Sequence, residues 1–187
     1  KASSLTTLDV SKWDTSNVVN MHDLFYGCSN LESLDVSNWN TGNVTDMVSM
    51  FYNATSLTQL DVSGWDTGNV LDMSYMFRNT SSLAQLNVSD WNTSQVTDMS
   101  YMFYGATGLT QLDFSGWNTG NVANMSHMFD SGEDTSYMNL ETITFGPGWD
   151  TSKVTTMSSM FWNCANLTSL DVSNWDTSAV TDMERMF

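Results

Sequence analysis

Basic residues, proline and cysteine are scarce in this chain of 187 residues, and long apolar runs are absent. Five Lys and Arg residues stand against 21 Asp and Glu, which gives a net charge of −16. Nucleic-acid binding needs clustered Lys and Arg, and anionic membrane surfaces also attract basic segments, so neither partner is expected. A bilayer-spanning helix needs about 20 apolar residues in a row. The sequence therefore predicts no membrane insertion.

One repeated unit makes up almost the whole chain. A leucine opens each unit, and the first five openings are 26 residues apart. Self-similarity at such a period predicts units that stack and bury their apolar faces against their neighbours. We interpret the chain as a single solenoid domain. Its seven repeats are 5–30, 31–56, 57–82, 83–108, 109–139 with an insertion, 140–166, and 167–187, which is truncated.

The two cysteines occupy equivalent places in the first and sixth repeats, as Cys28 and Cys164. Strands stack at ~4.8 Å, which would separate these residues by about 24 Å, whereas a disulfide spans at most about 7 Å. No disulfide between them is predicted. The single proline, Pro147, lies between Gly146 and Gly148, which predicts a bulge or turn in the sixth repeat.

The fourth repeat shows the pattern within a unit. Leu86 and Val88 bracket a polar residue, and this alternation predicts a short strand with one buried face. A cluster of turn formers follows. The next apolar residues then recur at helical spacing; they are Val96, Met99, Met102 and Phe103. The sequence thus predicts an α/β, leucine-rich-repeat-like solenoid with one short parallel strand plus a short helix per turn. The alternative places a second short strand at the Val-Thr-Asp-Met segment.

Several columns recur in every repeat and are interpreted as scaffold. Tryptophans, exemplified by Trp91, follow the strand directly and predict a structural stack, with a carbohydrate-binding ladder as the alternative. The methionines have core spacing and predict a packed interior. An aspartate column that includes Asp61 faces outward, where like charges ~4.8 Å apart repel. Hydrogen bonds from the serine two residues later offset that repulsion, and Ca²⁺ binding is the alternative. No other cofactor or metal site is predicted.

The motif LDVSNWDTSAVTDMERMF at Leu170–Phe187 resembles the 26-residue repeat of BspA-like bacterial surface proteins, a leucine-rich-repeat variant. The resemblance covers Leu5–Phe187. The insertion at Asp130–Asn139 and the Gly-Pro-Gly of the sixth repeat depart from it. The resemblance implies a secreted or surface-anchored adhesin-type module on a bacterial cell wall. It also implies a host extracellular protein or glycan as the partner.

Positions that vary between repeats while the scaffold does not are the candidates for binding. Two such rows lie on the side predicted to be helical, and together they predict a contiguous aromatic and cationic ridge. Tyrosine and arginine are typical anchors of interfaces. The alternative is that partly buried tyrosines merely cover the scaffold. The candidate residues are Tyr52, Tyr75, Arg78, Tyr101, Tyr104 and His127.

No catalytic residues are predicted, because His22 and His127 lie four repeats apart and the acids recur as columns. We therefore expect an extracellular binding module that presents its repeat surface to a host protein or glycan. A structural stalk, with ligand binding elsewhere, is the alternative. A third hypothesis is ice or mineral binding by the regular threonine column. The ends at Leu5 and Phe187 carry no recognisable cap, which predicts self-association through the terminal repeats.

Overall fold

A computed structural model describes residues 2–132 and 137–187; part of the predicted insertion, residues 133–136, lies outside the described residues. These ranges contain no helix, and so none that could cross a membrane. Their strands are β1, Gln111–Phe114, and β2, Thr142–Phe145, which pair in parallel with Gln111 opposite Thr142. The predicted α/β fold with a helix in each turn is therefore wrong.

The chain forms a stack of turns, each joined to the next by parallel bridges. We call the segment equivalent to 83–88 the leucine side of a turn, and the segment equivalent to 96–105 the methionine side. On the methionine side, one bridge column runs through all seven turns. This column lies where the alternative interpretation placed a second strand, although each pairing there is confined to one residue. Its members are Asn20, Asp46, Asp72, Asp98, Asn124, Thr156 and Asp182.

The methionine side is a succession of tight turns, not a helix. In the fourth turn, the Met102 N–H bonds to the Met99 carbonyl three residues back, whereas the Tyr101 N–H bonds to the next turn. The residue two positions after the first methionine is left-handed in every turn, with φ between 53° and 60°. A right-handed helix cannot continue through such a residue. These residues are Asp23, Ser49, Tyr75, Tyr101, His127, Ser159 and Arg185.

The interior is filled by columns of apolar side chains. Trp91 is 1% exposed, and its Nε1 donates to the Val62 carbonyl at 3.1 Å. Its ring lies 6.3 Å from Trp65 and 6.4 Å from Trp117, with nearly parallel planes. The methionines of the second to sixth turns are fully buried. The predictions of a structural tryptophan stack and of a methionine core are confirmed.

Both cysteines are free thiols, as predicted. Cys164 donates through Sγ to the Phe129 carbonyl at 3.3 Å, and burial raises the pKa of this thiol to about 12. The protonated, buried form is inert as a nucleophile.

Aspartate and asparagine side chains accept hydrogen bonds from the residue two positions later, which closes short loops within each turn. Asp61 accepts from the Ser63 hydroxyl at 2.7 Å and from the Ser63 backbone N–H at 3.1 Å. These bonds, the hydroxyl first, lower the pKa of Asp61. The predicted serine contribution to the aspartate column is thereby confirmed.

The threonine column points inward in the first six turns. The buried Thr93 donates through Oγ1 to the Asn118 carbonyl of the next turn at 2.8 Å. Its equivalents from Thr15 to Thr151 are buried as well. Ice or mineral binding by this column is therefore wrong, because the hydroxyls are used inside the stack.

Candidate binding ridge

The ridge is built from two positions on the methionine side of the turn. The first is the left-handed residue between the two methionines, and the second is the residue after the phenylalanine. Because backbone hydrogen bonds set each turn directly against the next, equivalent positions stack on one another. Rings or cation contacts link all six predicted residues into one cluster, which we call the ridge: Tyr52, Tyr75, Arg78, Tyr101, Tyr104 and His127.

A stack of aromatic rings runs along the ridge. Tyr75 lies 4.7 Å from Tyr101 with planes 5° apart, and Tyr101 lies 4.4 Å from His127 with planes 13° apart. Tyr52 extends the stack, 6.3 Å from Tyr75. Tyr26 meets Tyr52 edge-on at 4.8 Å. The rings are half-buried, so each presents part of its surface to solvent.

Arg78 occupies the centre of the ridge. Its Cζ lies 4.3 Å from the ring centre of Tyr104, 5.0 Å from Tyr52, 5.2 Å from Tyr101 and 5.6 Å from Tyr75. All four distances are within the ~6 Å range of cation–π attraction. The rings therefore stabilise the charge of Arg78 from several sides.

The hydrogen-bond donors of Arg78 are not used within the described residues. Its Nε is buried without a hydrogen-bond partner there, and its guanidinium forms no ion pair with a described carboxylate. Arg185 differs in this respect. It also lies over an aromatic ring, 5.6 Å from the centre of Trp162, but its Nε is 3.6 Å from Glu184 Oε1.

A buried carboxylate positions the far end of the ridge. Asp130 is 4% exposed, and its Oδ2 lies 2.7 Å from His127 Nδ1. Its Oδ1 accepts from the Gly132 N–H at 2.7 Å. Asp130 thus fixes the imidazole ring that stacks on Tyr101. Burial, followed by the neighbouring Tyr75, raises the pKa of Tyr101, which keeps it a neutral phenol at physiological pH.

Sequence reasoning did not include Tyr26 and Asp130 in the ridge. Both directly follow the phenylalanine of their turns, as Arg78 and Tyr104 do. The variable row after the phenylalanine therefore already contained both residues, and stacking of equivalent positions places them beside the predicted ridge.

The leucine side carries an open groove of about 730 Å³. It crosses turns three to six and is lined by apolar side chains, among them Leu60 and Leu86, together with uncharged polar side chains and two carboxylates. Exposed members of this lining are Gln59, Asp61, Gln85, Gln111 and Asp113. Over residues 2–132 and 137–187, no three His, Cys, Asp or Glu side chains converge as metal ligands would. The alternative of Ca²⁺ binding by the aspartate column therefore gains no support from the geometry.

No curated protein and no solved structure matches this chain. A family model does match it, with the description "Mycoplasma protein of unknown function, DUF285". The three matches cover residues 1–86, 59–142 and 133–187, and together they span the whole chain. Several overlapping matches within one chain are what a repeat protein gives. The chain therefore belongs to this family of repeat proteins.

Proposed function

We propose that the chain is an adhesin-type binding module of the BspA-like kind, exposed on a bacterial cell surface, with the ridge as its contact surface. The partner is a host extracellular protein or glycan. The observation that carries the proposal is the environment of Arg78, which lies among four tyrosines and has no hydrogen-bond acceptor among the described residues. Tyrosine and arginine clusters of this composition anchor interfaces.

The contrast between ridge and scaffold supports the proposal. The tryptophan, methionine and phenylalanine columns hardly change from turn to turn, whereas the ridge positions carry Asp, Ser, Tyr, His and Arg. A backbone held by the turns above and below accepts such variation without loss of the stack. Side chains of this kind are available for recognition.

Arrays of extracellular matrix proteins and glycans test the proposal directly. We expect the wild-type chain to retain specific ligands, and Tyr104→Ala to lose them, because an anchor ring is removed. Lys153→Met is the control, since Lys153 is exposed and contacts Asn121 Oδ1, outside the ridge. Melting curves verify that each variant is folded. Retention that is equal in the wild type and Tyr104→Ala would contradict the ridge as the contact surface.

The stalk is the second candidate, and the bridge column that joins all seven turns favours it. A continuous backbone ladder suits a spacer that carries load between two ends. A wild-type chain that retains no ligand on either array would support the stalk and overturn the binding module.

Self-association through the terminal turns stays a prediction. Trp13 is 49% exposed at one end of the stack and Phe187 is 68% exposed at the other, whereas their equivalents in the middle turns are buried. Light scattering over a concentration series, with Trp13→Ser and Phe187→Ser as variants, tests whether these two faces bind each other.

A further inference from the structure

Arg78 is the only Lys or Arg between Lys12 and Lys153. Four tyrosine rings surround its guanidinium, which compensates part of the energy of removing the charge from water. A ring face attracts the charge but offers no oxygen lone pair to an N–H group. The five N–H donors of a guanidinium therefore still require acceptors.

Arg185 is the other arginine of the chain, and its surroundings differ from those of Arg78. It stacks over one ring, Trp162, and its Nε approaches the carboxylate of Glu184. Arg78 has more ring contacts and no carboxylate among the described residues. Among the described residues, the two arginines thus differ in whether a carboxylate lies near the guanidinium. A carboxylate matches the planar fork of a guanidinium with two parallel hydrogen bonds.

We propose that Arg78 receives the carboxylate of an acidic terminal sugar of a glycan, of the sialic acid class. This inference rests on the proposed function of the ridge and names its ligand. The ridge supplies one cation and not a basic patch, so it fits a ligand with one negative charge. Polyanions are disfavoured by the net charge of −16. At physiological ionic strength, charges more than about 8 Å away are largely screened, so a single carboxylate is repelled much less.

The flanking tyrosines complete the proposed site. Tyr52 and Tyr104 lie one turn before and one turn after Arg78, at the equivalent position, so phenol groups border the guanidinium on both sides. Phenol hydroxyls donate to and accept from sugar hydroxyls. Tyr101 adds a neutral phenol beside them.

Calorimetric titration with three sugars tests this inference: sialyllactose, sialyllactose with its carboxylate reduced to an alcohol, and lactose. We expect the wild type to prefer sialyllactose. Arg78→Met should weaken sialyllactose binding by about tenfold to a hundredfold, the range for hydrogen bonds to a charged group. Arg78→Lys keeps the charge without the fork and should fall in between. Arg185→Met is the matched control and should bind like the wild type.

The outcomes distinguish the carboxylate inference from the proposed function of the ridge. Equal binding of the three sugars, no binding of sialyllactose by the wild type, or an unchanged affinity in a folded Arg78→Met variant overturns the carboxylate inference. If Tyr104→Ala and Arg78→Met still abolish retention of a protein or a neutral glycan, the proposed function stands and only the ligand class is wrong. If neither variant changes any retention, both proposals fall.

Discussion

The two sides of a turn hold their neighbours by very different amounts of backbone hydrogen bonding. On the methionine side, the N–H groups of Met99, Tyr101, Phe103 and Gly105 all bond to carbonyls of the fifth turn. On the leucine side, bridges join the first three turns, and regular strands join the fifth and sixth. Cohesion of the backbone thus resides mainly in the segment that the sequence predicts to be helical. The ridge projects from that better-connected side.

Large-to-small substitutions in the core should give the largest effects, and these should also differ between the two sides, because Phe103 is larger and more deeply buried than Leu86. Phe103 is fully buried between Phe77 and Phe129, so Phe103→Ala should lower the free energy of unfolding by about 3–5 kcal/mol. Leu86 on the leucine side is 8% exposed, so Leu86→Ala should lower it by only about 2 kcal/mol. Urea denaturation of both variants measures the two losses. Equal losses would show that the two sides are energetically alike.

Glycine substitutions sharpen the same comparison. Gly105 on the methionine side has φ 66°, and an added Cβ would meet Asn79 Oδ1, so Gly105→Ala should cost about 1–3 kcal/mol. Gly64 follows the leucine side, and its nearest neighbour would be the Ser37 carbonyl oxygen at 3.8 Å. Gly64→Ala should therefore stabilise the fold by about 0.4–1 kcal/mol. Thermal melts of the two variants should shift in opposite directions, and shifts of the same sign would contradict this account.

Substitutions at the corner between the two sides should lower the stability less than the core substitutions do. Thr93 Oγ1 donates to the Asn118 carbonyl and accepts from the Asn118 N–H, so Thr93→Val should cost about 1–2 kcal/mol. Thr97, at the start of the methionine side, is exposed, and its hydroxyl donates to the Leu71 carbonyl at 3.2 Å. Thr97→Val should have almost no effect on the denaturation midpoint, because water can replace this bond. A larger loss at Thr97 than at Thr93 would be incompatible with burial as the cause.

Acid should weaken the leucine side slightly. The pKa of Asp61 is lowered in the folded chain by hydrogen bonds from Ser63. Its contribution to stability is therefore present above the ordinary aspartate pKa of 3.8 and is lost as pH falls through the lower, folded value. The effect is small because Asp61 is exposed to solvent. Asp61→Asn should show a shallower decline of melting temperature below about pH 4 than the wild type. Identical acid profiles of the wild type and Asp61→Asn would show that Asp61 makes no such contribution.

The repeat period made part of the structure predictable. Once Trp91 recurs at a fixed interval, its neighbours in space are the tryptophans one unit away, whatever path the backbone takes between them. The same reasoning placed Tyr75 beside Tyr101, and Arg78 between Tyr52 and Tyr104. Stacking of equivalent positions depends on the period alone, and not on local secondary structure.

The local path was not predictable in the same way. Val96, Met99 and Met102 are spaced by three residues, and such spacing fits successive tight turns as well as a helix of 3.6 residues per turn. Gly105 is a residue that favours a left-handed backbone, whereas Tyr75 and Tyr101 give no such signal. Their conformation is imposed by hydrogen bonds to the next turn, which no local pattern reveals.

The hydrogen bonds between turns also set how the molecule responds to force. They run from one turn to the next, along the axis of the stack, and the four rungs of a methionine side belong to one pair of turns. We expect the outermost turn to open first when an end of the chain is pulled, because it is held by a neighbouring turn on one side only. We therefore expect the stack to unfold one turn at a time from its end, and each released turn of 26 residues lengthens the chain by about 90 Å. The first four repeats have the same length and should therefore extend by equal steps, whereas the fifth, 109–139, should give a longer one.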